Sequence, residues 1–339
     1  MSIIKDFGCL SKEEYQHKFR VDNALSFADP ANYGFEQQLT TLTRILSGVQ
    51  RQKFYTVNVN DFIPVEIGTG AYGKNIMQAA AAQVGADFES GIIQPGNGIN
   101  KDANVDIVID NITIRNNFWR MKYQATKEIR EMGRVSMLPV DYIEEQETAR
   151  LKTWQLGIQK IAFLGTSDGL NYGLLNLPDV TINTSLMPAS FANMTITQLN
   201  NFAVTVINTY FTNTNSTVFP NTLVIPTADL GALGTPINPQ FPLGTRRQYL
   251  EDAFKDAGAP ADFKILHTVY NNTAGTGGTG RYVLYNRNAD TLTMYIPKPY
   301  TPYPLYPAGS LDMISDAEGQ FTGVFAKRPK EIFYMDVTA

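Results

Sequence analysis

Residues 141–164 constrain the fold more than any other stretch of this sequence, because they read as one long helix. Pro139 sits just ahead, and Asp141 is placed to cap the first turn. Glu144, Glu145 and Glu147 then put negative charge at the positive end of the helix dipole. Leu151, Trp154, Ile158, Ile161 and Ala162 recur at helical spacing and define the face expected to enter a core. Gly165 follows at once, where a residue in the left-handed conformation ends a helix. Such a segment is a rod of about 36 Å. A rod of that length ahead of a glycine-rich turn is a structural spine, and the rest of the chain has to pack along it.

The flanking segments are mostly strand-like. Residues 54–65 alternate through Tyr55, Val57 and Val59 to Phe62, Ile63 and Val65; residues 105–114 and 118–125 alternate as well. Beyond the spine, residues 196–296 read as an α/β unit. A helix over 197–211 lines up Leu199, Phe202, Val206 and Tyr210, and a second over 246–257 stops at Gly258. Strands are expected at 222–226, 263–269, 282–285 and 292–296, with residues 286–290 as a hairpin-like turn between the last two. The Pro-Tyr stretch 297–307 favours an extended course, and strands follow at 321–326 and 331–336. The first residues differ in kind. A capping-box pattern at Ser11 and Glu14, a break at Asp29-Pro30 and a helical spacing over 35–46 suggest an arm, since Phe19, Leu25, Phe27 and Phe35 are too scattered for a core.

One motif bears on chemistry. Residues 65–75, VEIGTGAYGKN, place Gly68, Gly73 and Lys74 at the spacing of a phosphate-binding loop, and residues 105–110 resemble its acidic partner strand. This supports a P-loop nucleotide-binding protein using Gly68–Lys74, with the alanine-rich segment from Ile76 as the following helix. Against it, Asn75 stands where a hydroxyl would meet magnesium. The glycines Gly68, Gly70 and Gly73 equally suit a bending loop tip, the reading preferred here. A second glycine-rich run, 273–280, has no lysine and is read as a loop.

The remaining chemistry is sparse. Cys9 is the only cysteine, and His17 and His267 the only histidines, which excludes a Cys/His zinc site; His267 lies in an alternating apolar run and reads as a core or interface residue. No catalytic set, cofactor site or metal site emerges. The formal net charge of −4 gives no general field for nucleic acid, and no window is apolar enough to span a membrane. The first residues lack a secretory h-region, so the chain is expected to stay in the compartment where it is made. Only 18% of residues are charged, which suits a surface covered by partners.

Residues 160–178, KIAFLGTSDGLNYGLLNLP, close the spine and run into Gly173-Leu174-Leu175-Asn176. Together with Gly323-Val-Phe-Ala-Lys-Arg-Pro329, this order resembles tailed-phage major capsid proteins of the Hong Kong 97 type and their encapsulin relatives. The resemblance implies an α+β capsid fold: an N-terminal arm (1–52), an extended loop (53–112), a peripheral domain (113–195 with the return 297–339) and an axial domain (196–296). It implies a structural, non-enzymatic protein that assembles with itself through hexamers and pentamers into an icosahedral head around double-stranded DNA, held without sequence specificity. Scaffolding, portal and decoration proteins are further partners of such shells. The place implied is the virion, assembled in the host cytoplasm. An encapsulin-type compartment with an enzyme cargo is the alternative within the same fold. Gly68, Gly70, Gly73 and Lys74 would then be the hinge of the assembly loop, and Leu151, Trp154, Ile158 and Ile161 the core face of the spine. Cross-linking through Lys74 or Lys101 has no catalytic partner in the sequence.

Overall fold

The structure, a computed structural model, describes residues 53–68, 70–85, 105–126, 142–238 and 241–338. The expected arm, Pro139, Asp141 and Lys101 lie outside these residues. In chain order the elements are α1 (Val59–Phe62), β1 (Val65–Ile67), β2 (Asn75–Gly85), β3 (Val105–Arg115), β4 (Asn117–Thr126), α2 (Tyr142–Leu164) and β5 (Thr181–Met187). There follow α3 (Ile196–Asn213), β6 (Thr222–Pro226), α4 (Leu230–Leu233), β7 (Pro236–Asn238), β8 (Phe241–Thr245), α5 (Arg246–Asp256) and β9 (Lys264–Thr268). The chain closes with β10 (Arg281–Tyr285), β11 (Leu292–Ile296), β12 (Lys298–Pro302), β13 (Tyr306–Pro307), β14 (Asp312–Phe321), β15 (Val324–Ala326) and β16 (Ile332–Val337). The described residues divide into a larger unit (57–68, 70–85, 105–122, 151–238, 241–304 and 316–338) and a smaller one (53–56, 123–126, 142–150 and 305–315).

A five-stranded mixed sheet, ordered β5-β16-β10-β6-β9, organises the larger unit. Every residue of β6 and β10 is buried, so both faces are covered. Alternation sends Val224, Val283, Tyr285 and Tyr334 into one core with Trp154, Ile158 and Phe163 of α2. It sends Leu223, Ile225, Tyr282, Leu284 and Phe333 into another with Phe202 and Val206 of α3 and Leu250 and Phe254 of α5. Thr195 caps α3 in a full capping box with Gln198, and the Thr245 side chain accepts from Gln248 N to start α5. The sheet takes β5 and β16 from outside 196–296, so it is not confined to that stretch. A smaller sheet, β1-β11-β15, lies alongside in sequence, and β2 pairs antiparallel with β3 through eleven residue pairs from Asn75↔Arg115 to Gly85↔Val105.

In the smaller unit Arg150 is only 2% exposed. Its guanidinium donates to Ser315 O (2.9 Å) and Ser315 Oγ (3.0 Å), pairs with Glu147 and lies 4.7 Å from the centre of the Tyr123 ring. There β13 pairs with β14 through Tyr306↔Ile314 and Pro307↔Met313.

Several expectations are corrected. Within the strand expected over 54–65, residues 59–62 form a turn of helix, α1, started by the Asn58 side chain accepting from Asn60 N, and only Val65 enters a strand, β1. Phe62 and Ile63 are buried consecutively, which a half-buried strand does not allow. The segment after Lys74 is a strand and not a helix, because β3 supplies backbone partners that override the helix preference of alanine. Residues 286–290 do not close a hairpin: β10 belongs to the five-stranded sheet and β11 to the three-stranded one. Leu151 is 38% exposed and outside the core. The buried position one turn before Trp154 is Arg150, whose charge is met by Ser315, Glu147 and Tyr123. Trp154 and Ile158 are buried, and Ile161 is half-buried against the same core.

Candidate functional site

Two places concentrate specific geometry in the larger unit, the end of α2 and the turn between β1 and β2. At the first, the closing carbonyls of the helix are all satisfied, as a buried helix end requires. Gly165 N donates to Ile161 O (2.8 Å), Leu174 N to Ala162 O (2.8 Å), Leu175 N to Phe163 O (3.0 Å) and Asn176 Nδ2 to Leu164 O (3.0 Å). The Asn176 side chain also accepts from Gly173 N at 2.6 Å. Gly165 has φ 72, and a Cβ there would lie 2.2 Å from the Asn171 carbonyl oxygen. Only glycine fits that turn.

The returning segment locks onto this end. Val324 N donates to Tyr172 O (2.7 Å), and the Tyr334 hydroxyl donates to Leu174 O (2.6 Å) while accepting from Leu177 N (3.1 Å). Burial pushes the Tyr334 hydroxyl's pKa up, so it stays a donor. Gly319 faces Trp154 so closely that a Cβ would stand 2.5 Å from the indole ring, which also meets Trp119 and Phe321 at centroid distances of 5.0 and 6.2 Å. Arg281 donates to Leu175 O and, through Nε at 2.7 Å and Nη2 at 2.8 Å, to the buried Asp336 carboxylate. Burial works against the Asp336 charge, but hydrogen bonds from Arg281 and Thr276 outweigh it and hold its pKa below the usual aspartate value. Thus the two segments that carry the resemblance meet in one joint.

At the second place, Gly68 (φ 92), Gly70 (φ 79) and Tyr72 (φ 63) are left-handed, Gly73 is not, and Lys74 is exposed. Three backbone donors of this turn are already engaged: Gly68 N on Ile296 O (3.0 Å), Tyr72 N on Gln320 Oε1 (2.8 Å) and Gly73 N on Gly70 O (3.2 Å). A phosphate cradle needs those amides free and a helix behind them. Neither condition holds, which overturns the P-loop reading. His267 Nδ1 is 3.3 Å from Thr227 Oγ1. Among the described residues no group of three or more His, Cys, Asp or Glu is placed to hold a metal, and no helix is long and apolar enough to cross a membrane. The sequence missed Asn116, Lys298 and Gln320 as partners of this turn, since they come from three separate segments.

The family model described as Major capsid protein matches residues 96–337, well over half of the 339 residues. No curated protein sequence matches. Among solved structures, the capsid of Myoviridae phage XM1 superposes with a TM-score of 0.72 at 15% identity, covering 88% of this chain and 97% of that one. The capsid of an empty GTA particle gives 0.55 at 11% identity, covering 93% and 100%. A structure of Mycobacterium phage Che8 gives 0.52 at 12%, covering 86% and 96%. At these identities the likeness shows the fold, an α+β architecture of the Hong Kong 97 capsid type, and the family match supplies the rest: the chain belongs to the major capsid protein family, structural proteins of the virion shell.

Proposed function

We propose that this chain builds an icosahedral phage head by assembling with copies of itself through hexamers and pentamers, enclosing double-stranded DNA without sequence specificity. The observation that carries the reading is the β2–β3 ribbon, considered with the family match. It is a two-stranded sheet to which no other strand pairs among the described residues. Eleven residues of strand extend about 36 Å, and an isolated two-stranded ribbon is marginal in water. In a shell, neighbouring copies cover it. Heterologous contacts that close on themselves give rings, and rings tile a closed shell.

On this reading residues 1–52 are the N-terminal arm and 53–112 the extended loop over a neighbour. Residues 113–195 with 297–339 form the peripheral domain, and 196–296 the axial domain at capsomer centres. Scaffolding, portal and decoration proteins join the assembly.

The test is sedimentation of particles from cells that make the protein, followed by electron microscopy and identification of shell protein and contents. DNA-filled shells made mainly of this chain are expected. Its absence from the shell fraction overturns the proposal, and shells holding an enzyme in place of DNA transfer it to an encapsulin-type compartment.

A further inference from the structure

The turn between β1 and β2 is expected from sequence to be a free hinge, yet it is held at several points. Tyr72 occupies a left-handed conformation that side chains other than glycine rarely adopt, although glycines stand at positions 70 and 73. Its backbone N–H donates to Gln320 Oε1 at 2.8 Å, and Gly73 O accepts from Asn116 Nδ2 at 2.8 Å. Asn116 and Gln320 are themselves buried and joined at 3.3 Å. The Tyr72 hydroxyl accepts from Lys298 Nζ and donates to Glu318 Oε1 at 3.4 Å. The ammonium lies 4.7 Å from the centre of the Tyr72 ring and 5.8 Å from that of Tyr303, within cation–π range. Lys298 also pairs with Glu318, which accepts from the Tyr303 hydroxyl at 2.6 Å. The hydrogen bond to Glu318 raises the Lys298 pKa, so Lys298 stays protonated and the pair stays ionic throughout the neutral range.

We propose that Tyr72, clasped by Lys298, Glu318 and Gln320, is a latch that sets the exit angle of the β2–β3 ribbon, and that its opening lets one sequence fill differently angled positions in a shell. The second half rests on the shell reading above. The strained backbone at Tyr72 is the device: it persists only while the surrounding side chains hold it, as strain at switch regions does. Release costs no core packing, because the Tyr72 residue remains 65% exposed when clasped. It relaxes the backbone and frees the ribbon's root. A mere brace would lack that stored strain and would show its loss as lowered stability.

Amide hydrogen exchange of the unassembled subunit tests the latch without requiring a shell. Lys298→Met is expected to leave the far-ultraviolet spectrum and thermal midpoint as in the wild type, while exchange at Tyr72 and Gly73 accelerates by about tenfold. Tyr72→Ala, which keeps a side chain in the left-handed conformation, removes only the clasped ring and leaves the Lys298–Glu318–Tyr303 group intact, should give the same acceleration and serves if Lys298→Met fails to fold. Unchanged exchange in the folded variants overturns the latch. Both variants are then taken into the assembly reaction, where particles of mixed size and shape are expected. Faster exchange with wild-type particles overturns the shell role. If the wild type itself builds no shells, the assembly reading fails while the exchange result still judges the latch.

Discussion

The packing of α2 against the returning segment and the root of the β2–β3 ribbon each depend on a glycine, for opposite reasons. At the joint, Gly319 leaves room for Trp154, and a Cβ would penetrate the ring. At the root, a Cβ on Gly68 meets nothing within 4 Å; only the backbone angle calls for glycine. One glycine is a matter of volume and the other of conformation. Under the proposed shell reading, the difference separates a part of the subunit that must be correct for folding from a part whose setting would act on assembly.

The largest effect should come from emptying the joint. Trp154→Ala removes a ring packed by Trp119, Phe321 and Gly319, and is expected to cost about 3–5 kcal/mol. Urea denaturation of the unassembled subunit measures it. A loss under about 1 kcal/mol, within the range of ordinary surface substitutions, would break the comparison at its folded end.

A somewhat smaller loss, about 3 kcal/mol, is expected for Arg281→Met, which strands the Asp336 carboxylate in the interior. The wild-type pair also carries a pH signature. The Asp336 pKa is depressed on folding, so its contribution is complete above the unfolded value of about 3.9 and is lost as pH falls through the folded pKa. Below the unfolded value the unfolded chain takes up the proton first, which pulls the equilibrium towards unfolding. Thermal midpoints recorded from neutral to strongly acidic pH should fall at the acid end, and Arg281→Met should flatten that fall. An equally steep fall in the variant would assign the acid sensitivity elsewhere.

Much of the joint was legible in the sequence, because local signals and packing agree there. The stripe through Trp154 and Ile158 and the left-handed stop at Gly165 follow from spacing and a terminator that the tertiary structure reinforces. Where packing overrides local preference the reading failed. The alanine run from Ala79 favours helix on its own and is held as strand by β3. Arg150 was not among the residues read as the core face, yet Ser315, Glu147 and Tyr123 meet its charge and make its burial tolerable. Residues 286–290 have good turn chemistry, but turn chemistry does not say which sheet the next strand joins. The clasp on Tyr72 was the least visible, since Lys298 is 226 residues away in the chain and an aromatic residue at positive φ contradicts its own propensity.

The smallest effect on the subunit is the most discriminating. Gly68→Ala keeps the space free and alters only the backbone preference, at a cost of about 1–2 kcal/mol, below that of Trp154→Ala. Because the strain sits in the turn and not in either core, unfolding should remain a single transition with an unchanged denaturant slope. Assembly should respond more than stability does, since a stiffened root shifts the ribbon away from the angles that neighbouring copies require. The comparison therefore turns on a ratio: normalised to the loss of stability, Gly68→Ala should disturb particle formation more than Trp154→Ala does. If Gly68→Ala instead proves the more destabilising of the two and particles form normally from what remains folded, the root belongs with the core. The division between folding glycines and assembly glycines would then have to be redrawn around the β1–β11 pairing that Gly68 N extends.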